Sequence, residues 1–195
     1  MKLNTKQILP HVGIILLCLI VACAYFSPIL GGKVLPQGDL QKYEGMAKAQ
    51  KDYHKASGDY TAWAPNMFSG MPGYQITNPP QHSLFWPLRD IATLEPFGWQ
   101  NTIGVLFLYL IGFYLAMVAL GASPWLALIG ALAFGLGSYN IIIIEAGHIT
   151  KAWAMACVAP ILAGMILTLR KKFVWGGILF FAALGLQIQC NHIQI

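Results

Sequence analysis

The sequence predicts an all-α membrane protein of about five transmembrane helices, with a long extracytoplasmic first loop carrying short surface helices. Three observations carry this. Of 195 residues, 57% are hydrophobic and only 10% charged, where soluble domains have about a quarter charged; the mean hydropathy is +0.61. Uncharged apolar runs such as 124–144 and 152–169 match the ~20 residues that cross a bilayer. Six of the seven acids fall between residues 33 and 101, so most of the polar chemistry is gathered in one insertion. The expected organisation is a single transmembrane domain over 1–195, the N-terminal part of a larger polytopic protein, with the 33–101 loop inside it.

The first element follows Lys2 and Lys6 as an uncharged run from Ile8 to Gly32. A basic start before an apolar stretch also describes a signal peptide, and Ile20-Val-Ala-Cys23 resembles a lipoprotein cleavage box. The run continues through Tyr25 to Leu30, however, giving a spanning length rather than a short signal core. It reads as a signal anchor.

The insertion opens with Leu40 to Lys55, where Leu40, Tyr43, Ala47 and Met46 form an apolar stripe among lysines, the pattern of a surface helix. Asp39 stands just ahead of it, where an N-cap belongs. The stretch Trp63 to Gln75 is dense in Pro, Gly and aromatics with no sustained period, so it reads as an ordered loop on the membrane surface or over a cavity. Trp86, Phe97 and Trp99, with Arg89 and Asp90 between them, suggest a short interfacial helix.

Three further spans are expected at Ile103–Leu120, Leu126–Ile144 and Ala152–Leu169, and a fifth begins at Phe173. Gly130, Gly135 and Gly137 permit close helix approach in the third. Placing the N-terminus in the cytoplasm puts Lys2, Lys6, Arg170, Lys171 and Lys172 inside, as the positive-inside rule asks. The long loop, the 145–151 turn and the C-terminal end then lie outside the cytoplasmic membrane. In a helix, Gln187, Asn191 and Gln194 share one polar face, which calls for partners among the remaining transmembrane helices of a longer chain.

Glu145-Ala-Gly-His-Ile-Thr-Lys151 packs an acid, an imidazole and an amine between two apolar runs. Ionisable groups at membrane depth face a bundle interior or a wet cavity and tend to be functional; the plainer alternative is a snorkelling Glu and Lys flanking a hairpin. A helical turn would put Glu145 and His148 on one face. If Gly147 instead breaks the helix and Thr150 caps the next, Lys151 lies in a first turn that attracts anions. Asp39, Glu145 and His148 suit either a divalent cation or a general base, and spacing leaves both open. Lys151 suits a phosphate.

Other chemistry is excluded or has an ordinary explanation. No phosphate-binding glycine loop, nucleophile elbow or zinc signature is present. The net charge of +5 does not imply a nucleic-acid partner, because the basic residues form no dense patch among exposed aromatics and several flank apolar runs. Cys18, Cys23, Cys157 and Cys190 all lie in apolar segments without ligand spacing, as small buried hydrophobes do. Asp39 could equally be a helix cap, and His192 a hydrogen-bonded bundle residue.

Taken together, the first span, Pro36-Gln-Gly-Asp39, Trp63-Ala-Pro-Asn-Met-Phe-Ser-Gly-Met-Pro72, Glu145-Ala-Gly-His148 and Asn191-His-Ile-Gln194 resemble the N-terminal part of YfhO-type bacterial membrane proteins. These in turn resemble GT-C class glycosyltransferases, which use polyprenyl-phosphate sugars at the outer membrane face. The resemblance covers essentially the whole chain and implies a membrane lipid and a polyprenyl-phosphate sugar as partners, with a cell-envelope acceptor. It puts Asp39 and Glu145 in the catalytic positions and His148, Lys151, Asn191 and His192 against the substrate. The family pattern has a pair of acids where this chain has Glu-Ala-Gly-His, which leaves a metal requirement open. Complete GT-C proteins also have many more than five spans. A transporter or lipid-binding component without catalysis is the alternative reading, since broken helices and intramembrane charge occur there too.

Overall fold

The computed structural model describes residues 5–77, 84–92, 94, 102–190 and 192. It is mostly helical, and the chain divides into two compact units: residues 1–35 with 84–195, and residues 36–83.

The larger unit begins with α1 (Thr5–Tyr25), followed by the single turn α2 (Ser27–Leu30). The smaller unit holds α3 (Gly38–Ser57), and the larger resumes with α4 (Trp86–Ala92), α5 (Ile103–Ala119), α6 (Pro124–Gly135), α7 (Ser138–Ala146), α8 (Ile149–Leu169) and α9 (Phe173–Gln189). By length and composition, α1 and α8 are each able to cross a membrane, and α6 with α7 passes the same test as a pair bent by 47°. The helices α5 and α9 are apolar but shorter.

The third expected span is therefore broken in two. Gly135 and Gly137 flank the break, and the side-chain amide of Asn140, itself 5% exposed, donates to the Phe134 carbonyl at 2.7 Å. A backbone group freed by the bend is thus satisfied inside the protein, as a low-dielectric setting demands.

Side-chain contacts fix which helix ends meet. Leu9 and Pro10 of α1 share a groove with Trp125 at the start of α6. His11 hydrogen-bonds Tyr114 near the end of α5. The Arg170 guanidinium donates to the Leu120 carbonyl at 3.0 Å, tying the α8–α9 turn to the α5–α6 turn. At the opposite end, Tyr25 to Leu35 meet Ile141 and Glu145, and Thr150 meets His192. Hence α1, α6–α7 and α9 run one way, and α5 and α8 the other.

The core of this unit is built from α1, α5, α6, α7 and α8, around Ile14, Leu106, Tyr109, Leu110, Ala131 and Ile144. Small residues set the tightest approaches. Gly112 of α5 faces the ring of Pro160 and the Ala156 carbonyl, the carbonyl a proline at 160 cannot bond. Gly164 of α8 lies directly against the backbone of Phe180 in α9.

In the smaller unit, α3 starts two residues earlier than the hydrophobic stripe suggests. Gln37 is the N-cap and Asp39 lies in the first turn, so the expectation of Asp39 as the cap is corrected. Asp39 still suits that place, because an acid in the first turn complements the helix dipole. The buried face is Ala47 and Gln50, while Leu40 is 38% exposed. The aromatic stretch that follows forms a two-residue antiparallel pairing, Trp63 opposite Pro72 and Ala64 opposite Met71, and then a tight turn over Gly73–Gln75. Asn66 anchors it by donating to the Met46 carbonyl at 3.2 Å. In the larger unit, a helix stands where a short one was expected, α4, where Arg89 pairs with Asp90 and lies 5.3 Å from the Trp153 ring. Phe97 and Trp99 lie outside the described residues.

Candidate functional site

The 145–151 turn is the meeting point of two helices, and its backbone explains its shape. Gly147 sits at φ +90, a conformation glycine adopts without the penalty a Cβ would bring. The Gly147 N–H then reaches the Ile144 carbonyl and the His148 N–H the Ile143 carbonyl, both at 3.2 Å. This is a Schellman closure, which satisfies carbonyls that a helix end otherwise leaves open. The turn is therefore not a continuous helix, and Glu145 and His148 do not share a helical face.

His148, not Thr150, is the N-cap of α8, and it makes no side-chain capping bond. Its carbonyl accepts the Ala152 N–H at 2.9 Å. The first N–H groups of α8 accordingly have no acceptor within the helix, and the dipole there favours an anion. Lys151 occupies this first turn as the broken-helix reading expected, with its ammonium 5.5 Å from the Tyr139 ring centre.

His192 joins the same end of the molecule. Its Nδ1 lies 3.5 Å from the Thr150 hydroxyl, so α9 brings a second imidazole to the start of α8. Two more polar groups belong to this end: the Trp153 indole nitrogen and the Gln189 amide are buried without a hydrogen-bond partner among the described residues. Sequence reading missed both. Trp153 looked like one more apolar residue of a span, and Gln189 fell outside the periodic face of Gln187. Buried polar groups of this kind usually find a partner.

Glu145 goes elsewhere. It lines a cavity of about 330 Å³ with Lys33, Phe26, Ile29 and Ile141, a lining that includes neither His148 nor Lys151. Asp39 is partly exposed and lies 3.6 Å from the Lys42 ammonium; it belongs to the smaller unit and is described there by itself. Asn191 lies outside the described residues. Among the described residues, no three of His, Cys, Asp and Glu gather as a metal site.

Searched against known proteins, the chain matches no family model, no curated protein and no solved structure. What fold and site define is a mostly helical protein whose apolar helices are consistent with a membrane location. In its larger unit, Thr150 and Lys151 at the start of α8 and His192 just beyond α9 lie at one end of the helices.

Proposed function

We propose that the chain is the N-terminal part of a YfhO-type, GT-C-like membrane glycosyltransferase acting outside the cytoplasmic membrane. It crosses the membrane five times, with the N-terminus and Arg170–Lys172 in the cytoplasm, and moves a sugar from a polyprenyl-phosphate donor to a cell-envelope acceptor. The single observation that supports this best is the start of α8. Lys151 lies in its first turn, His148 at its cap and His192 beside Thr150, next to N–H groups that a helix start leaves without an acceptor in the helix. Fixed donors of this kind stabilise a phosphate as negative charge develops on it.

The step balances without a further reagent. The acceptor hydroxyl oxygen bonds to the anomeric carbon, and the carbon–oxygen bond to phosphate breaks. The electron pair leaves on the lipid phosphate at α8, and the hydroxyl proton passes to a carboxylate base, the role that the resemblance gives to Asp39. The resemblance gives Glu145 a catalytic position as well, and the cavity it lines includes neither His148 nor Lys151.

The test is transfer by the purified full-length protein, given a panel of polyprenyl-phosphate hexoses and an envelope acceptor fraction. Asp39→Asn should lower the rate about 100-fold, the size of a lost general base. Undiminished transfer would remove Asp39 from the mechanism.

The 47° break between α6 and α7 favours one other reading, a carrier of lipid phosphates without chemistry, since discontinuous helices are common in transporters. Lipid-phosphate counterflow in vesicles, with no glycosidic bond formed, would decide for it.

A further inference from the structure

The cavity that takes Glu145 has a composition of its own. Its walls come from the end of α1, from α2 and from the segment after it, and are closed by α7. Phe26, Pro28, Ile29, Leu35 and Ile141 make it apolar, and among the described residues Lys33 and Glu145 are the charged ones that line it. A cavity of about 330 Å³ is within the range of small-ligand sites.

The two charges do not neutralise each other directly. Among the described residues neither Lys33 nor Glu145 takes part in a salt bridge, although both line the same space. Both side chains are exposed at the edge of an apolar wall, so each is open to a charged group of a ligand. The occupant complementary to this lining brings one negative and one positive group, separated, on an apolar body.

We infer that this cavity binds a zwitterionic phospholipid with a primary amine, its phosphate on Lys33, its ammonium on Glu145 and the start of its acyl chains against Phe26, Ile29 and Ile141. An anionic lipid would meet Lys33 but be repelled by Glu145. A choline lipid has the right charges but no N–H to donate, and charge-assisted hydrogen bonds are the stronger contacts. A free headgroup would leave the apolar walls in water. The inference does not rest on the glycosyl-transfer reading, because it concerns binding alone and uses none of the residues placed at α8.

The experiment is native mass spectrometry of the purified protein in detergent, titrated separately with phosphatidylethanolamine, phosphatidylcholine, phosphatidylglycerol and soluble phosphoethanolamine. No sugar donor is present, so the outcome is independent of transfer. Phosphatidylethanolamine should bind about fivefold tighter than either other lipid, the size of one ion pair, and phosphoethanolamine should not displace it. Glu145→Gln should abolish the preference over phosphatidylglycerol, and Lys33→Gln should weaken all three lipids. Both side chains are exposed, so neither change threatens folding, and Ile141→Trp provides a second check by filling the cavity and lowering binding of every lipid. Equal binding of the three lipids, tighter binding of phosphatidylglycerol, displacement by phosphoethanolamine, or an unchanged preference in Glu145→Gln would each overturn the inference.

Discussion

Asn140 donates its side-chain amide to the Phe134 carbonyl at 2.7 Å, across the break that separates α6 from α7. The bond joins the last turn of one helix to the first turn of the next, so the bend depends on a side chain as well as on glycine. Replacing Asn140 with Leu leaves that carbonyl without this donor in a buried setting. The carbonyl keeps the Gly137 N–H at 3.1 Å, so the expected cost is that of one net hydrogen bond, about 0.5–1.5 kcal/mol, read as a lower midpoint in SDS-titrated unfolding. An unchanged midpoint would mean that the bend needs no such support.

Gly147 holds φ +90 so that α7 can close and α8 can start in a new direction. Gly147→Ala should destabilise by about 1–2 kcal/mol, the penalty for a Cβ in the left-handed region. The same unfolding assay measures it. A neutral effect would show that the turn readily adopts another backbone path.

The helix pairs α5–α8 and α8–α9 meet through glycine. A Cβ at Gly112 would stand 3.0 Å from the Ala156 carbonyl oxygen, and one at Gly164 would stand 2.6 Å from the Phe180 backbone nitrogen. Gly112→Leu should cost about 1–3 kcal/mol by overpacking, and Gly164→Val should cost more, since backbone rather than a flexible side chain blocks it. Yield of monodisperse protein and the unfolding midpoint report both. Stable folding of Gly164→Val would contradict the observed approach.

Orientation follows from where the basic residues stand. In right-side-out vesicles, with the native cysteines replaced by alanine, Lys171→Cys should resist a membrane-impermeant maleimide until lysis, and Val34→Cys should react at once. The reverse pattern would invert the proposed topology.

Much of this fold is legible in the sequence, and the limits have physical causes. The long uncharged runs locate α1, α5, α8 and α9 closely, because an apolar helix of that length needs no partner to reveal itself. In Glu145-Ala-Gly-His-Ile-Thr-Lys151 the sequence allows both a continuous turn and a break at Gly147, and the φ of +90 at Gly147 selects the break. The bend after Gly135 was not legible, because glycine serves close packing and helix breaking alike, and only the Asn140 contact distinguishes them. Asp39 was read as a cap because its residue type fits, whereas Gln37 holds that place. The site was harder still. Lys33 lies 112 positions before Glu145 and His192 lies 42 after Thr150, so neither pairing leaves a local pattern.

The central claim is that the start of α8 holds a lipid phosphate through Lys151. The most direct measurement is equilibrium binding of polyprenyl phosphate and of the uncharged polyprenol to the purified protein and to Lys151→Gln. Polyprenyl phosphate should bind at least about 10-fold tighter than polyprenol to the unmodified protein, the scale of one charge-assisted contact, and Lys151→Gln should remove that difference. Equal binding of the two lipids, or a phosphate preference that survives in Lys151→Gln, would contradict it.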